Sequence, residues 1–234
     1  MSPEELSALF DGPSTALAEG LLGCRLTVVA ADGAVTVRLT ETEAYGNAGE
    51  DPGAHSFRGR TERNSALFGP ARRTYVYLNY GIHRCLNLVG HPQGQAGGVL
   101  LRAGEVLGGR EVAVARRGRD TGARLLSGPG NLGQGLGIAL DMGHLPVEIV
   151  AAPPRLPSGP PTDPGGSCAE RGPSPRFLLA PPAPDGDGAR RAAVVRGPRV
   201  GVSGEGGSVR FPWRFHLAGD PSVSAYRRGR DVPD

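Results

Sequence analysis

The chain has 234 residues, 38% of them hydrophobic, which is enough to build a substantial core and excludes an intrinsically disordered protein. No apolar run is long enough to span a bilayer, and the first ten residues are acidic where a secretory signal would be basic, so we expect a cytoplasmic protein. All 26 basic residues are arginine, and the net charge of +3 is only a weak sign of an anionic partner. Without lysine, no side-chain amine can form a Schiff base with a sugar.

In chain order, the predicted elements are a helix at 14–23, strands at 25–30 and 35–43, a long polar loop at 46–64, strands at 74–80 and 83–89 that form a hairpin with Gly81 in the turn, a strand at 98–103, helices at 106–116 and 129–136, and strands at 147–151, 199–202 and 209–217. Helices and mostly antiparallel strands in irregular order predict an α+β fold.

The three cysteines, Cys24, Cys85 and Cys168, are far apart and include no C-x-x-C pair. This spacing argues against both a disulfide framework and a zinc site, so we expect no metal. We expect Cys24 and Cys85 to be buried thiols.

The segment at 152–188 differs in composition from the rest of the chain. It is rich in Pro, Gly, Ser and Asp and has few large apolar residues, so burial would not offset the entropy lost on ordering it. We interpret it as a mobile insertion. A linker between two domains is the alternative, but only a short piece of chain follows it.

Two glutamates stand at the end of the strand at 35–43. The apolar alternation that runs up to Leu39, if continued, places Glu41 and Glu43 on the apolar face of the strand. The structural explanations for inward carboxylates are an ion pair with arginine or a bulge that turns them outward. The functional explanation is a partly desolvated carboxylate that binds and activates a water.

The sequence TYVYLNYG at 74–81 holds three of the five tyrosines. Tyr75 and Tyr77 share a strand face, and core packing is the explanation we favour for Tyr75. Tyr80 falls at the hairpin turn, where a large ring is well placed to enter a base stack. The alternative is that Tyr80 packs over its own hairpin.

The glycine-rich sequence SGPGNLGQGLGI at 127–138 precedes and enters a predicted helix. Backbone amides at a helix N-terminus, here around Ser127, Gly128 and Gly130, can hold a phosphate. The P-loop pattern is absent because no Gly-Lys-Ser/Thr occurs. A plain glycine-rich loop is the alternative.

Taken together, these motifs resemble the alkyladenine (3-methyladenine) DNA glycosylase family. The likeness runs from the first helix to about Ser224, apart from the insertion, and ETEAY followed by TYVYLNYG is its most specific part. The motifs that carry it are ETEAY at 41–45, AHS at 54–56, R-x-x-x-x-F-G-P at 63–70, TYVYLNYGIHRCLN at 74–87, VLLRA at 99–103, SGPGNL at 127–132, PRVGVS at 198–203 and PWRFHLAGDPSVS at 212–224.

The resemblance implies one compact α+β domain over residues 1–234, built around a curved, mostly antiparallel sheet with flanking helices. It also implies the reaction, in which the enzyme flips a damaged purine out of duplex DNA and hydrolyses the bond between base and sugar. Glu43 would position the attacking water, and Arg102 would help to hold that water and the flipped nucleotide. The enzyme would need no cofactor.

The resemblance further implies a substrate pocket and a DNA-inserting hairpin. Tyr45, His55 and Tyr77 would line the pocket and stack on the flipped base, and Asn87 would exclude normal guanine by crowding its exocyclic amine. Two further residues would act on the duplex: Tyr80 would fill the gap left by the base, with Ile82 as its apolar neighbour. The expected partner is double-stranded DNA containing damaged purines, with no membrane, and the expected state is a monomer.

The chain departs from the family at Asn131, which stands where the SGP motif usually carries lysine, and the insertion has no family role. Two other functions compete with a glycosylase: a non-catalytic nucleic-acid-binding module, and a hydrolase acting on a free nucleoside or glycoside. An inward Glu43 favours chemistry over binding alone. Tyr80 at a hairpin tip favours duplex DNA over a small ligand.

Overall fold

The computed structural model describes residues 1–156, 174–183 and 192–233. Its helices are α1 (Pro3–Leu9), α2 (Ser14–Gly20), α3 (Arg110–Arg117) and α4 (Pro129–Leu136). Its strands are β1 (Arg25–Ala30), β2 (Gly33–Tyr45), β3 (Arg73–Asn79), β4 (His83–Val89), β5 (Gly98–Gly108), β6 (Val147–Ile149), β7 (Arg176–Ala180), β8 (Val194–Gly197) and β9 (Arg214–Leu217). The predicted α+β class is confirmed.

The nine described strands form one sheet in the order β3-β4-β5-β2-β1-β7-β6, with β9 paired to β2 and β8 paired to β9. The pairings are antiparallel except that of β6 with β7. The long strand β2 is the centre of this arrangement, because β1 pairs with its first half and β9 with residues 41–43. Irregularities in the pairing of β2 with β5 bend it, in line with the predicted curved sheet.

The main hydrophobic core lies between the sheet and the helices. The side chains of Leu6, Phe10 and Leu17 from α1, its C-cap and α2 are fully buried against the sheet. Cys24 and Cys85 are buried free thiols, as expected. Within the described ranges, no helix is long and apolar enough to cross a membrane.

Several predicted boundaries need correction. The helix predicted at 106–116 begins only at Arg110, because β5 continues to Gly108 and Gly109 follows with φ of 70°. The strand predicted at 199–202 is absent from this described segment, and the strand lies earlier, at Val194–Gly197. Helix α1 was not predicted, although Ser2 and Glu5 form a capping box at its start.

The interpretation of 152–188 as a mobile insertion is wrong for part of its length. Strand β7 falls inside it, pairs with both β1 and β6, and buries Phe177 and Leu179 completely. Five consecutive residues, four of them apolar, suffice for an interior strand even when Pro and Gly surround them. Residues 157–173 and 184–191 of this region and its continuation lie outside the described residues.

Candidate active site

The two glutamates reach the site because β2 changes face partway along its length. Leu39 and Ala44 both belong to the main core, although strict alternation would put them on opposite faces. The pairing of β2 with β5 is irregular on both sides of Glu41, and a bulge shifts the parity of the residues that follow it. The predicted continuation of the apolar face is therefore wrong: Glu41 and Glu43 lie on the other face, fully buried, beside Arg102.

Glu41 belongs to a buried ion-pair cluster. Its Oε1 accepts hydrogen bonds from Arg102 Nε at 3.0 Å and from Arg214 Nε at 2.7 Å, and Ser224 donates through both its amide and its hydroxyl. Burial would raise the pKa of Glu41, but Arg102, Arg214 and the Ser224 amide together bring the pKa below its usual value. Pairing with arginine, one of the structural explanations given above, therefore accounts for the burial of the Glu41 carboxylate.

A cavity of about 560 Å³ opens beside this cluster. This volume falls within the range of ~300–1,000 Å³ that is usual for small-molecule sites. Segments from the loop after β2, from β3, β4 and β5, and from residues 200–203 line it. Six of the predicted site residues line it: Tyr45, His55, Tyr77, Tyr80, Asn87 and Arg102.

Glu43 lies directly behind the cavity wall. Its Oε1 accepts a hydrogen bond from the Val200 amide at 2.7 Å, and its Oε2 accepts from the Tyr45 hydroxyl at 2.9 Å and Arg102 Nη1 at 3.3 Å. Glu43 has no exposed surface, but each of its three donor residues lines the cavity. One layer of its own hydrogen-bond donors therefore separates this carboxylate from the cavity.

Three rings form an aromatic side of the cavity. His55 meets Tyr77 edge-on with ring centroids 4.6 Å apart, and its Nδ1 lies 2.9 Å from the Tyr75 hydroxyl. Partial desolvation at the cavity wall, reinforced by Arg63, lowers the pKa of His55, so the imidazole is mainly neutral at pH 7. Burial raises the pKa of Tyr75 to about 12, so its hydroxyl keeps the proton that it can donate to Nδ1. Tyr75 is packed in the interior, as favoured, and it also lines the cavity.

Tyr80 stands at the tip of the β3–β4 hairpin. The Ile82 amide donates to the Asn79 carbonyl, and Tyr80 and Gly81 have φ of 49° and 72°, which is the geometry of a type I′ turn. A bulky residue seldom adopts positive φ, so this turn is unusual for tyrosine. Tyr80 is 84% exposed and Ile82 is 69% exposed. The alternative that Tyr80 packs over its own hairpin is therefore wrong.

The glycine-rich segment at 127–138 has a packing explanation. A Cβ on Gly130 would lie 2.7 Å from the His83 ring, and one on Gly133 would lie 1.9 Å from the Arg84 carbonyl oxygen. These glycines let α4 approach β4 closely. Ser127, Gly128 and Gly130 are partly exposed at the start of α4 and do not line the cavity.

No sequence pattern predicts the second buried ion pair, which joins Asp51 and Arg199. Both side chains are fully buried, and Arg199 Nη1 and Nη2 donate to the two carboxylate oxygens of Asp51 at 2.6 Å each. Arg199 belongs to the PRVGVS motif, which signalled its importance without indicating its partner. A pairing across 148 residues leaves no periodic pattern in the sequence.

The sequence is also similar to those of known proteins. The sequence profile of the family described as Methylpurine-DNA glycosylase matches residues 8–221. A protein from Nocardia farcinica is 44% identical over 238 residues, covering 100% of this chain and 94% of its own length. Two proteins from Corynebacterium glutamicum strain R and Frankia casuarinae are each 42% identical, covering 93% and 94% of this chain and 85% and 92% of their own lengths. All three carry 3-methyladenine DNA glycosylase as a provisional name. The chain belongs to the methylpurine-DNA glycosylase family.

Proposed function

We propose that the chain is a monofunctional glycosylase that flips damaged purines of the 3-methyladenine type out of duplex DNA and hydrolyses the bond between base and sugar, leaving an abasic site. The arrangement of the cavity carries this proposal. Tyr80 lines its edge and projects into solvent, and the carboxylate of Glu43 lies behind its wall.

Tyr80 supports a duplex substrate. A base inside a duplex cannot present its glycosidic bond to an enzyme, so the nucleotide must leave the stack. The exposed Tyr80 ring, with Ile82 beside it, can enter the gap and offset part of the unstacking cost. A free nucleoside has no stack to fill, so this tip disfavours a small-molecule hydrolase.

The lining of the cavity supports a damaged purine as the flipped base. Alkylation at N3 or N7 makes a purine cationic, and an aromatic face favours a cation by about 0.5–2 kcal/mol. Tyr45 and Tyr77 offer such rings, and the neutral His55 does not repel a cation. Asn87 is 4% exposed, and its Nδ2 donates to the Tyr75 carbonyl at 3.1 Å. This bond fixes the Asn87 side chain where we propose that it crowds the exocyclic amine of guanine.

We assign activation of the attacking water to Glu43, with Arg102 holding the carboxylate. A water that replaces the Tyr45 hydroxyl at Oε2 would donate one proton to Glu43 and direct its oxygen at the anomeric carbon. The new bond forms between this oxygen and the anomeric carbon, and the glycosidic electron pair leaves with the base. An alkylated base is a good leaving group because the pair neutralises its positive charge.

We propose that the start of α4 binds a backbone phosphate of the DNA. The Ser127 amide already donates to the Arg124 carbonyl, so Ser127 can contribute only its hydroxyl. The amides of Gly128 and Gly130 would supply the remaining hydrogen bonds. Asn131 donates its Nδ2 to the Ser127 carbonyl at 2.6 Å and stabilises this turn, in place of the family lysine.

We propose that the enzyme works as a monomer. Release of free base tests the function directly. Duplexes containing 7-methylguanine, 3-methyladenine or hypoxanthine, the undamaged duplex and the matching free nucleosides would be assayed in parallel. We expect release from alkylated duplexes only, or from these and hypoxanthine. Tight binding of damaged duplex with no release would favour a non-catalytic module, and release from the nucleosides alone would favour the small-molecule hydrolase.

A further inference from the structure

The buried Asp51–Arg199 pair lies next to the cavity without lining it. Arg199 is the largest fully buried side chain among the described residues. Besides Asp51, its guanidinium donates to the Ala44 carbonyl at 3.0 Å and to the Gly206 carbonyl. It therefore ties the end of β2 to the chain segment that follows β8.

Asp51 is equally constrained. Its Oδ2 accepts from the Gly46 amide and its Oδ1 from the Gly53 amide, both at 2.9 Å. A Cβ on Gly53 would come within 2.6 Å of Arg199 Nη2, so glycine is needed for this close approach. With both carboxylate oxygens occupied by backbone and guanidinium donors, the pair has no freedom to rearrange independently of the loop.

Two contacts connect the pair to the reacting groups. The Arg199 guanidinium lies over the ring of Tyr45, 4.6 Å from its centroid. The next residue, Val200, donates its amide to Glu43. The guanidinium is also 5.3 Å from the Trp213 ring centroid, and this aromatic surrounding keeps water away from the pair.

The position of Arg199 raises an electrostatic question for a cationic substrate. The guanidinium lies over one face of the Tyr45 ring, and Tyr45 also lines the cavity. An uncompensated positive charge there would oppose a cationic base through the ring, with little screening in a dry interior. The carboxylate of Asp51, bonded to the guanidinium at two points, cancels this charge locally.

We infer that the Asp51–Arg199 pair is a positioning and specificity element: it fixes Tyr45 and Glu43, and its neutrality lets the site accept positively charged bases. This inference rests on the proposed function. Arg199 holds Tyr45 and, through Val200, Glu43 in position, and the Asp51 carboxylate neutralises the charge of Arg199.

The test compares a cationic with a neutral damaged base. Asp51→Asn keeps the shape of the side chain but leaves Arg199 uncompensated. Single-turnover release and duplex affinity would be measured for 7-methylguanine and for hypoxanthine, below the melting temperature of each variant. We expect the cationic substrate to lose about tenfold more than the neutral one. If hypoxanthine is bound but not released, the ratio of the two affinities gives the same comparison.

A double variant, Asp51→Asn with Arg199→Gln, separates charge from geometry. It leaves no unpaired buried charge, so it provides folded protein if Asp51→Asn alone does not. We expect it to slow release of both bases by a similar factor, about 10- to 100-fold, because Tyr45 and Glu43 lose their support. Unchanged rates in this variant would overturn the positioning role.

Asp220→Asn is the matched control. Asp220 pairs with Arg38 at 2.7 Å and also anchors β2, but it contacts neither Tyr45 nor Glu43. We expect this variant to lose stability and to keep the wild-type ratio between the two substrates. An equal loss on both substrates in Asp51→Asn would overturn the charge-balance inference. Failure of the wild-type protein to release any base would instead overturn the proposed function.

Discussion

The Val200 amide donates a 2.7 Å hydrogen bond to Glu43 Oε1 across 157 residues of chain. It joins the central strand β2 to the segment that follows β8, and both contribute residues to the cavity. With Tyr45 and Arg102 on the other oxygen, the carboxylate is held by three donors. Val200 and Arg102 hold the carboxylate before substrate arrives, so only the Tyr45 hydrogen bond has to give way to the attacking water.

We expect Glu43→Gln to lower single-turnover base release by about 10²–10⁴-fold, because an amide cannot accept the proton of water. Affinity for damaged duplex should change far less, as measured by gel shift. Glu41→Gln is the matched control: Glu41 is equally buried and also pairs with Arg102, but it does not bond to Tyr45 or Val200. Equal loss of activity in both variants, with folding intact, would indicate that charge balance matters and not water activation.

Tyr80→Ala should raise the free-energy barrier to base release from duplex DNA by about 1–3 kcal/mol, the amount that one base–aromatic stack contributes. Release from a damaged single strand should change little, because no gap remains to be filled. Val209→Ala, at another apolar side chain that is 68% exposed, provides the control. The insertion role would be lost if Tyr80→Ala slowed release from duplex and single strand equally.

The hairpin and the glutamates show which features can be predicted from the sequence and which cannot. Alternation and a central glycine located β3 and β4 to within one residue, because local turn chemistry decides a hairpin. The sequence could not decide between a continued apolar face and a bulge at Glu43, since the bulge depends on pairing with β5, which is distant in the chain. The Asp51–Arg199 pair could not be predicted either, because it requires the whole sheet to form first.

The histidine in the cavity predicts a defined pH dependence. Partial desolvation and Arg63 lower the pKa of His55 below its ordinary 6.5. As the pH falls through 6.5, the unfolded chain binds a proton that the folded chain does not, so the free energy of unfolding decreases. An NMR titration should place the folded His55 below the same residue in urea-unfolded protein. Arg63→Gln should raise its pKa, whereas an equal pKa in both states would contradict this account.

The packing of strand β7 predicts that a substitution in its core residues is strongly destabilising, although the composition of this region favours mobility. Phe177 is fully buried in the main core, so Phe177→Ala should lower the free energy of unfolding by about 3–5 kcal/mol. Val195→Ala on β8, at a residue that is 38% exposed, should cost much less. Urea unfolding of both variants checks the difference. Similar midpoints for the two would mean that β7 does not pack as described.

The last prediction concerns the abasic product. Enzymes that also cut the backbone do so through an amine that forms a Schiff base with the sugar, and this chain contains no lysine. Arginine cannot replace it, because the guanidinium stays protonated at any working pH. The amine of Met1 lies 3.9 Å from Glu5 Oε2 at the start of α1, an element that contributes nothing to the cavity. We therefore expect borohydride added during turnover to trap no covalent protein–DNA adduct, and the strand to break only after later alkali or heat. A trapped adduct would show that the enzyme has lyase activity and would point to the terminal amine as the nucleophile.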